Sequence, residues 1–204
     1  MIEFKSPRIR YDEIKRKADE VRALFKEQSL PLDIHSAIEF DFGFEIRPVV
    51  NLRDKGNTEA LLLRDRKAIL IDAGYFQDDR QQNRVRFSLA HELGHIFIHE
   101  ELGVQFDSID EWVTFRREVD EGDYKWYERQ ADEFAGRLLV PPLELQSLIT
   151  EAFSTPRFSR IDSSLFSSVE VKDVVAELLK DKFGVAQKTL AIRIDREQLW
   201  PPKI

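Results

Sequence analysis

Two histidines four residues apart, in the run His91-Glu92-Leu93-Gly94-His95, constrain this chain more than any other feature. On a helix, positions i and i+4 stack on one face. Both imidazoles can then reach one Zn²⁺ at about 2.0–2.1 Å, with the adjacent glutamate placed to take a proton from an activated water. Four histidines scattered at random over 204 residues would produce this H-E-x-x-H spacing in about 1% of chains. The spacing therefore predicts a helix carrying a metal site.

The surrounding residues support a helix. From Arg84 to His99 there is no proline, and Phe87, Ala90, Leu93 and Phe97 recur at three- and four-residue steps, the pattern of a core-facing stripe. Gly94 costs such a helix about 0.5–1 kcal/mol relative to alanine. Its presence predicts close approach of another backbone, or of substrate, beside the metal. His99 falls two turns beyond His91, about 12 Å along the axis, too far to share one ion with both other histidines on a continuous helix. It is read as structural or as supporting a ligand, and His35 as structural or surface.

A catalytic zinc takes a third protein ligand and leaves one position open. With no cysteine in the chain, that ligand must be His, Asp or Glu. The segment Tyr127–Pro141 has an apolar stripe at helical spacing (Ala131, Phe134, Ala135, Leu138, Leu139) and ends at Pro141-Pro142. Glu128 and Asp132 share one face of it. Glu128 is the candidate ligand and Asp132 the candidate partner for the outer nitrogen of a ligating histidine. Glu133, on another face, is the second-choice ligand. Glu92 is the candidate general base. For the oxyanion donor, Tyr124 and Tyr127 both stand near Glu128, and nothing in the sequence selects between them.

These blocks, Phe87-Ser88-Leu89-Ala90-His91-Glu92-Leu93-Gly94-His95, then Glu128-Arg129-Gln130-Ala131-Asp132-Glu133-Phe134-Ala135, then Leu138-Leu139-Val140-Pro141, resemble the ImmA/IrrE-type metallopeptidases. The resemblance is sharp over about residues 45–142. It implies a small zincin-like α+β fold, and cleavage of a helix-turn-helix repressor that releases the genes it silences. By position it assigns His91, His95 and Glu128 to the metal and Glu92 to the base. Zn²⁺ is the expected ion, with Mn²⁺ or another divalent ion as the alternative.

Three strands are expected at Phe44–Leu52, Thr58–Leu63 and Ala68–Asp72, with Gly56-Asn57 and Arg64–Lys67 as turns. Helices are expected over Tyr11–Gln28 and, more briefly, between Pro31 and Gly43. An edge strand beside the metal helix would hold an extended peptide by main-chain hydrogen bonds. The expected organisation is a metallopeptidase domain over residues 1–153, a serine-rich linker or loop over 154–168, and a helical region over 169–204. In that last region, Val171–Val185 reads as a helix closing on Gly184, followed by a second helix at Gln187–Asp195.

A net charge of −7 argues against general nucleic-acid binding. The acid runs Asp107–Glu111 and Glu118–Asp123 read as solvated loop, with attraction of a basic partner as the functional alternative. No apolar run approaches 18 residues, and the N-terminus lacks the apolar core of a signal peptide, so a cytoplasmic chain is expected. Two competing functions remain: a metal-stabilised module that binds or senses without cutting, and a DNA-binding regulator acting through the C-terminal helix pair.

Overall fold

A computed structural model describes residues 4–63, 67–99, 106–155, 158 and 165–202. The fold is α+β, with a small mixed sheet wrapped by helices, in keeping with a zincin-like domain. Helix α1 spans Tyr11–Arg22, and a short turn α2, Ile34–Ser36, runs on into a π-helical turn at Ala37–Asp41. Strand β1 (Glu45–Val49) is followed by the short helix α3 (Leu52–Gly56), then β2 (Ala60–Leu62) and β3 (Ala68–Asp72). Helix α4 (Ala73–Phe76) leads through a 3₁₀ turn into α5 (Gln82–Ile98). The rest is helical: α6 (Ile109–Glu118), α7 (Glu121–Leu139), α8 (Pro142–Phe153), α9 (Val169–Phe183) and α10 (Gln187–Arg196).

The sheet order is β1-β3-β2, with β1 parallel and β2 antiparallel to the central β3. Every residue of β3 is buried, because helices cover both of its faces. Alternation along the strand sends Ile69 and Ile71 into a large core with Leu89 and Leu93 of α5, while Leu70 enters a smaller aromatic core with Trp112 and Phe115 of α6. The two edge strands are therefore β1 and β2, and β2 is the one beside α5.

Helix α1 stops at Arg22, six residues short of the expected Gln28. There Gln28 Nε2 folds back to donate to the carbonyls of Arg22 (2.7 Å) and Phe25 (3.0 Å), closing the end of the helix. Gly56 ends a helical turn instead of forming a simple turn, with Asn57 in the left-handed region (φ 49°) as its cap. The turn expected at Arg64–Lys67 falls largely outside the described residues.

The acid runs read as loop contain two helix starts, with Glu118 instead ending α6. The Ser108 hydroxyl accepts from Glu111 N–H to open α6, and Asp120 Oδ1 accepts from Gly122 and Asp123 N–H at 2.9 Å to open α7. Asp110, Glu111, Glu121 and Asp123 then occupy first turns, where the helix dipole favours negative charge. Pro141-Pro142 does end α7, but Pro142 also begins α8, since proline's missing N–H costs nothing in a first turn.

Of the C-terminal pair, α9 closes on Gly184 at φ 61°, where L side chains are strained. Helix α10 packs on α7 and α1: Arg193 pairs with Glu133, and Lys15 Nζ donates to Glu197 at 2.9 Å. No helix among the described residues is long and apolar enough to cross a membrane.

Candidate metal centre

Helices α5 and α7 cross where Gly94 lies against Ala131. A Cβ at Gly94 would stand 3.1 Å from Ala131 Cα and 3.3 Å from its carbonyl oxygen. Of the two reasons expected for this glycine, close backbone approach is the one observed. It brings the histidine face of α5 against the carboxylate face of α7.

His91, His95 and Glu128 meet there. His91 Nε2 and His95 Nε2 are 3.0 Å apart, and the Glu128 carboxylate lies 3.2 Å from the first and 3.5 Å from the second. A tetrahedral ion with bonds of about 2.0–2.2 Å separates neighbouring ligand atoms by about 3.3–3.6 Å; the two imidazole nitrogens and the Glu128 carboxylate stand at or slightly inside that spacing and need to part by only a few tenths of an ångström to hold one. The donor set of two imidazoles and one carboxylate is that of a zinc site with a position left open.

Hydrogen bonds beyond these atoms fix the imidazole tautomers. His91 Nδ1 is 2.9 Å from Asp132 Oδ1, so Nδ1–H donates and, in the neutral imidazole, Nε2 is the nitrogen with the lone pair. For His95 the chain is longer. The Pro7 carbonyl can only accept, and it takes Gln130 Nε2–H at 2.6 Å. Gln130 Oε1 then accepts from His99 Nε2–H at 2.8 Å, and His99 Nδ1 accepts from His95 Nδ1–H at 2.9 Å. His95 Nε2 is left as a lone pair facing His91 and Glu128. His99, only 2% exposed, is held neutral: burial above all, with His95 alongside, pushes its pKa down to about 3. The Tyr127 ring stacks on both His95 and His99, with centroids 4.4 and 4.1 Å apart.

The electrostatics favour positive charge at the centre. Burial works to lower the His91 pKa, but Asp132 and Glu128 outweigh it and hold the pKa well above the ordinary value. Burial likewise works to raise Glu128, and the two imidazoles outweigh it and hold it well below. Glu92 is different. Burial is the leading influence and leaves its carboxyl raised, although Leu62 N–H donates to its Oε2 at 2.9 Å.

Both tyrosines weighed as oxyanion donors sit on α7. Tyr127 lines the cleft and serves as the platform under the two histidines, whereas Tyr124 lies under Arg116, with its phenol pushed up by burial and by Glu128. Glu133 faces Arg193 on another side of α7, away from the ligand set. His35 is half-exposed on α2, 3.9 Å from Glu39.

Reading the sequence did not find Gln130. Its amide matters only because α7 brings it beneath His99 and the N-terminal segment brings the Pro7 carbonyl to it. No local spacing signals either contact.

The cluster opens into a cleft of about 400 Å³ whose lining includes Ala60, Leu61 and Leu62 of β2 on one side and Glu92, Glu128 and Asp132 on the other. Among curated proteins no match is found. The family model described as Peptidase M78, the IrrE N-terminal-like domain, matches residues 55–195, a span that carries the H-E-x-x-H helix, β2 and β3, and α7. With that match over two thirds of its length, the chain belongs to the M78 family of IrrE-like metallopeptidases.

Proposed function

We propose that this chain is a zinc-dependent endopeptidase that cuts a protein substrate, a helix-turn-helix repressor, and so releases the genes that the repressor silences. The observation that carries the reading is the meeting of Glu92, the His91–His95–Glu128 set and the edge strand β2 in one cleft.

A zinc ion held by His91, His95 and Glu128 would supply Lewis-acid polarisation of the scissile carbonyl and lower the pKa of a water toward about 7. Glu92 takes the proton of the attacking water and passes it to the leaving amine. Its burial favours the neutral, proton-carrying form, which suits the second half of that task. Asp132 holds His91 in orientation, and the His99–Gln130–Pro7 chain holds His95.

Substrate binds as an added strand. The outer edge of β2, where Leu62 N–H already meets Glu92, faces the cleft, and an extended segment pairing along it lies across the site. A repressor suits the chain's net charge of −7, because a DNA-binding partner presents a basic surface that an acidic one attracts. It also places the reaction in the cytoplasm.

The test pairs metal content with cleavage. Wild type, Glu92→Gln and Glu128→Ala are assayed for zinc per chain and for fragments of a co-encoded helix-turn-helix protein by mass spectrometry. Wild type should hold about one zinc and cut. Glu92→Gln should hold zinc and not cut, and Glu128→Ala should lose both. Full turnover by Glu92→Gln would refute the mechanism, and an intact substrate with zinc-loaded wild type would shift the reading to a binding module.

A further inference from the structure

The cleft that holds the metal centre changes character along its length. Strand β2 and helix α5 run side by side in the same direction, and two contacts fix how they align. Leu62 N–H donates to Glu92 Oε2 at 2.9 Å, and Ser88 Oγ donates to Glu59 Oε2 at 3.2 Å. A chain paired along the outer edge of β2 therefore passes Glu92 at one end and Glu59, Ser88 and Arg84 at the other. Arg84 lies seven residues before His91 on α5, about 10 Å along the helix axis. An extended chain covers that distance in about three residues.

Charge separates along the same line. Glu92, Glu128 and Asp132 line the metal end, whereas Arg53 and Arg84 are the arginines of the lining. Arg84 is paired with Glu59. Arg53, on α3, has no carboxylate partner among the described residues: its Nη1 donates to Tyr75 Oη, and its Cζ lies 5.2 Å from the Tyr75 ring centroid. Arg84 Cζ lies 5.1 Å from the same centroid. One aromatic ring on α4 thus serves as platform for both guanidinium groups. Asp72 touches Arg53 only through its backbone, accepting from the N–H groups of Arg53, Gly74 and Tyr75. A guanidinium held in place but lacking a carboxylate loses little freedom when one arrives.

We propose that Arg53 is a specificity-determining residue, pairing with an aspartate or glutamate side chain of the bound peptide about three residues from the scissile bond. Tyr75 is its platform, and Arg84 adds a second positive charge. The inference rests on reading the cleft as a peptide site. It concerns one residue of the substrate, whereas attraction by net charge acts on the partner as a whole.

The test separates recognition from cleavage. Zinc-loaded, full-length Glu92→Gln is immobilised and used to select from a displayed library of random peptides. The same protein carrying Arg53→Glu or Arg53→Gln is used in parallel; Arg53 is exposed, so the fold tolerates both. Peptides taken by Glu92→Gln should be enriched in Asp or Glu at one position. Adding Arg53→Gln should remove the enrichment, and adding Arg53→Glu should turn it toward Lys or Arg. Exchanging that acid for glutamine in one selected peptide should weaken binding about fivefold, the upper range for a partly exposed ion pair. The same exchange should change nothing when Arg53→Gln is present. Wild type then receives the selected peptides, and the cut should fall about three residues from the acid. Intact peptides whose preference still follows the charge at position 53 would refute the peptidase reading and leave the role of Arg53 standing. No acidic enrichment, or an enrichment that Arg53→Glu does not alter, would overturn the proposal.

Discussion

His99 Nε2 lies 2.8 Å from Gln130 Oε1, and this contact decides which nitrogen of His95 faces the metal centre. With Oε1 accepting from His99 Nε2–H, His99 Nδ1 must accept from His95. Reverse the Gln130 amide and the Pro7 carbonyl, 2.6 Å from Gln130 Nε2, would face an oxygen. The tautomer of His95, a candidate ligand, is thus set through Gln130 by the carbonyl of Pro7, near the other end of the domain's sequence.

Gln130→Leu is expected to weaken zinc binding about 10–100-fold, the usual effect of losing an outer partner of a metal-ligating imidazole. Gln130→Glu keeps an acceptor for His99 but sets a carboxylate oxygen against the Pro7 carbonyl, so it should recover only part of that loss. Competition against a chromophoric chelator measures both. Equal affinities for wild type and Gln130→Leu would mean that packing against Tyr127 alone orients His95.

Gly94→Ala sets two effects against each other. Alanine gains about 0.5–1 kcal/mol of helix stability. Its Cβ, however, would stand 3.1 Å from Ala131 Cα, and that neighbour is backbone in a fully buried part of α7. Overpacking of this kind costs about 1–3 kcal/mol, so the variant should be less stable than wild type by urea denaturation. Because the same crossing sets the gap between His91 and Glu128, its zinc affinity should fall as well. A more stable variant would show that the two helices can slide apart freely.

The site was more legible in the sequence than the scaffold. His91, Glu92 and His95 lie within one helical turn, so spacing alone places them together, and Glu128 and Asp132 repeat that logic on α7. Ala68–Asp72 was legible as a strand because it is an unbroken apolar run between turn residues, and it stands within those bounds as β3. What escaped was the part whose meaning depends on distant partners. The acids before Trp112 and Tyr124 look like solvated loop until Ser108 and Asp120 are seen capping helices. Arg193 looks like an ordinary charge on an amphipathic helix until the fold seats it beside Glu133, sixty residues upstream.

Glu197 gives α10 a pH-dependent hold on the rest of the molecule. Its carboxylate meets Lys15 Nζ at 2.9 Å and Arg137 Nη1 at 2.7 Å, and pairs with Arg193. Burial works to raise its pKa, but these cations outweigh it and bring the folded value below the ordinary 4.5. A carboxylate depressed by folding stabilises the native state above its unfolded pKa, and that contribution is lost as pH falls through the folded value. Glu197→Gln should therefore cost about 1–3 kcal/mol at neutral pH, the range for losing a hydrogen-bonded charge. The gap to wild type should narrow as pH drops below about 4.5, with urea melts at successive pH values as the measurement. If the gap were the same at pH 7 and pH 3, the glutamine would be costing packing rather than charge. The ion pairs would then contribute nothing to docking α10 on α1 and α7.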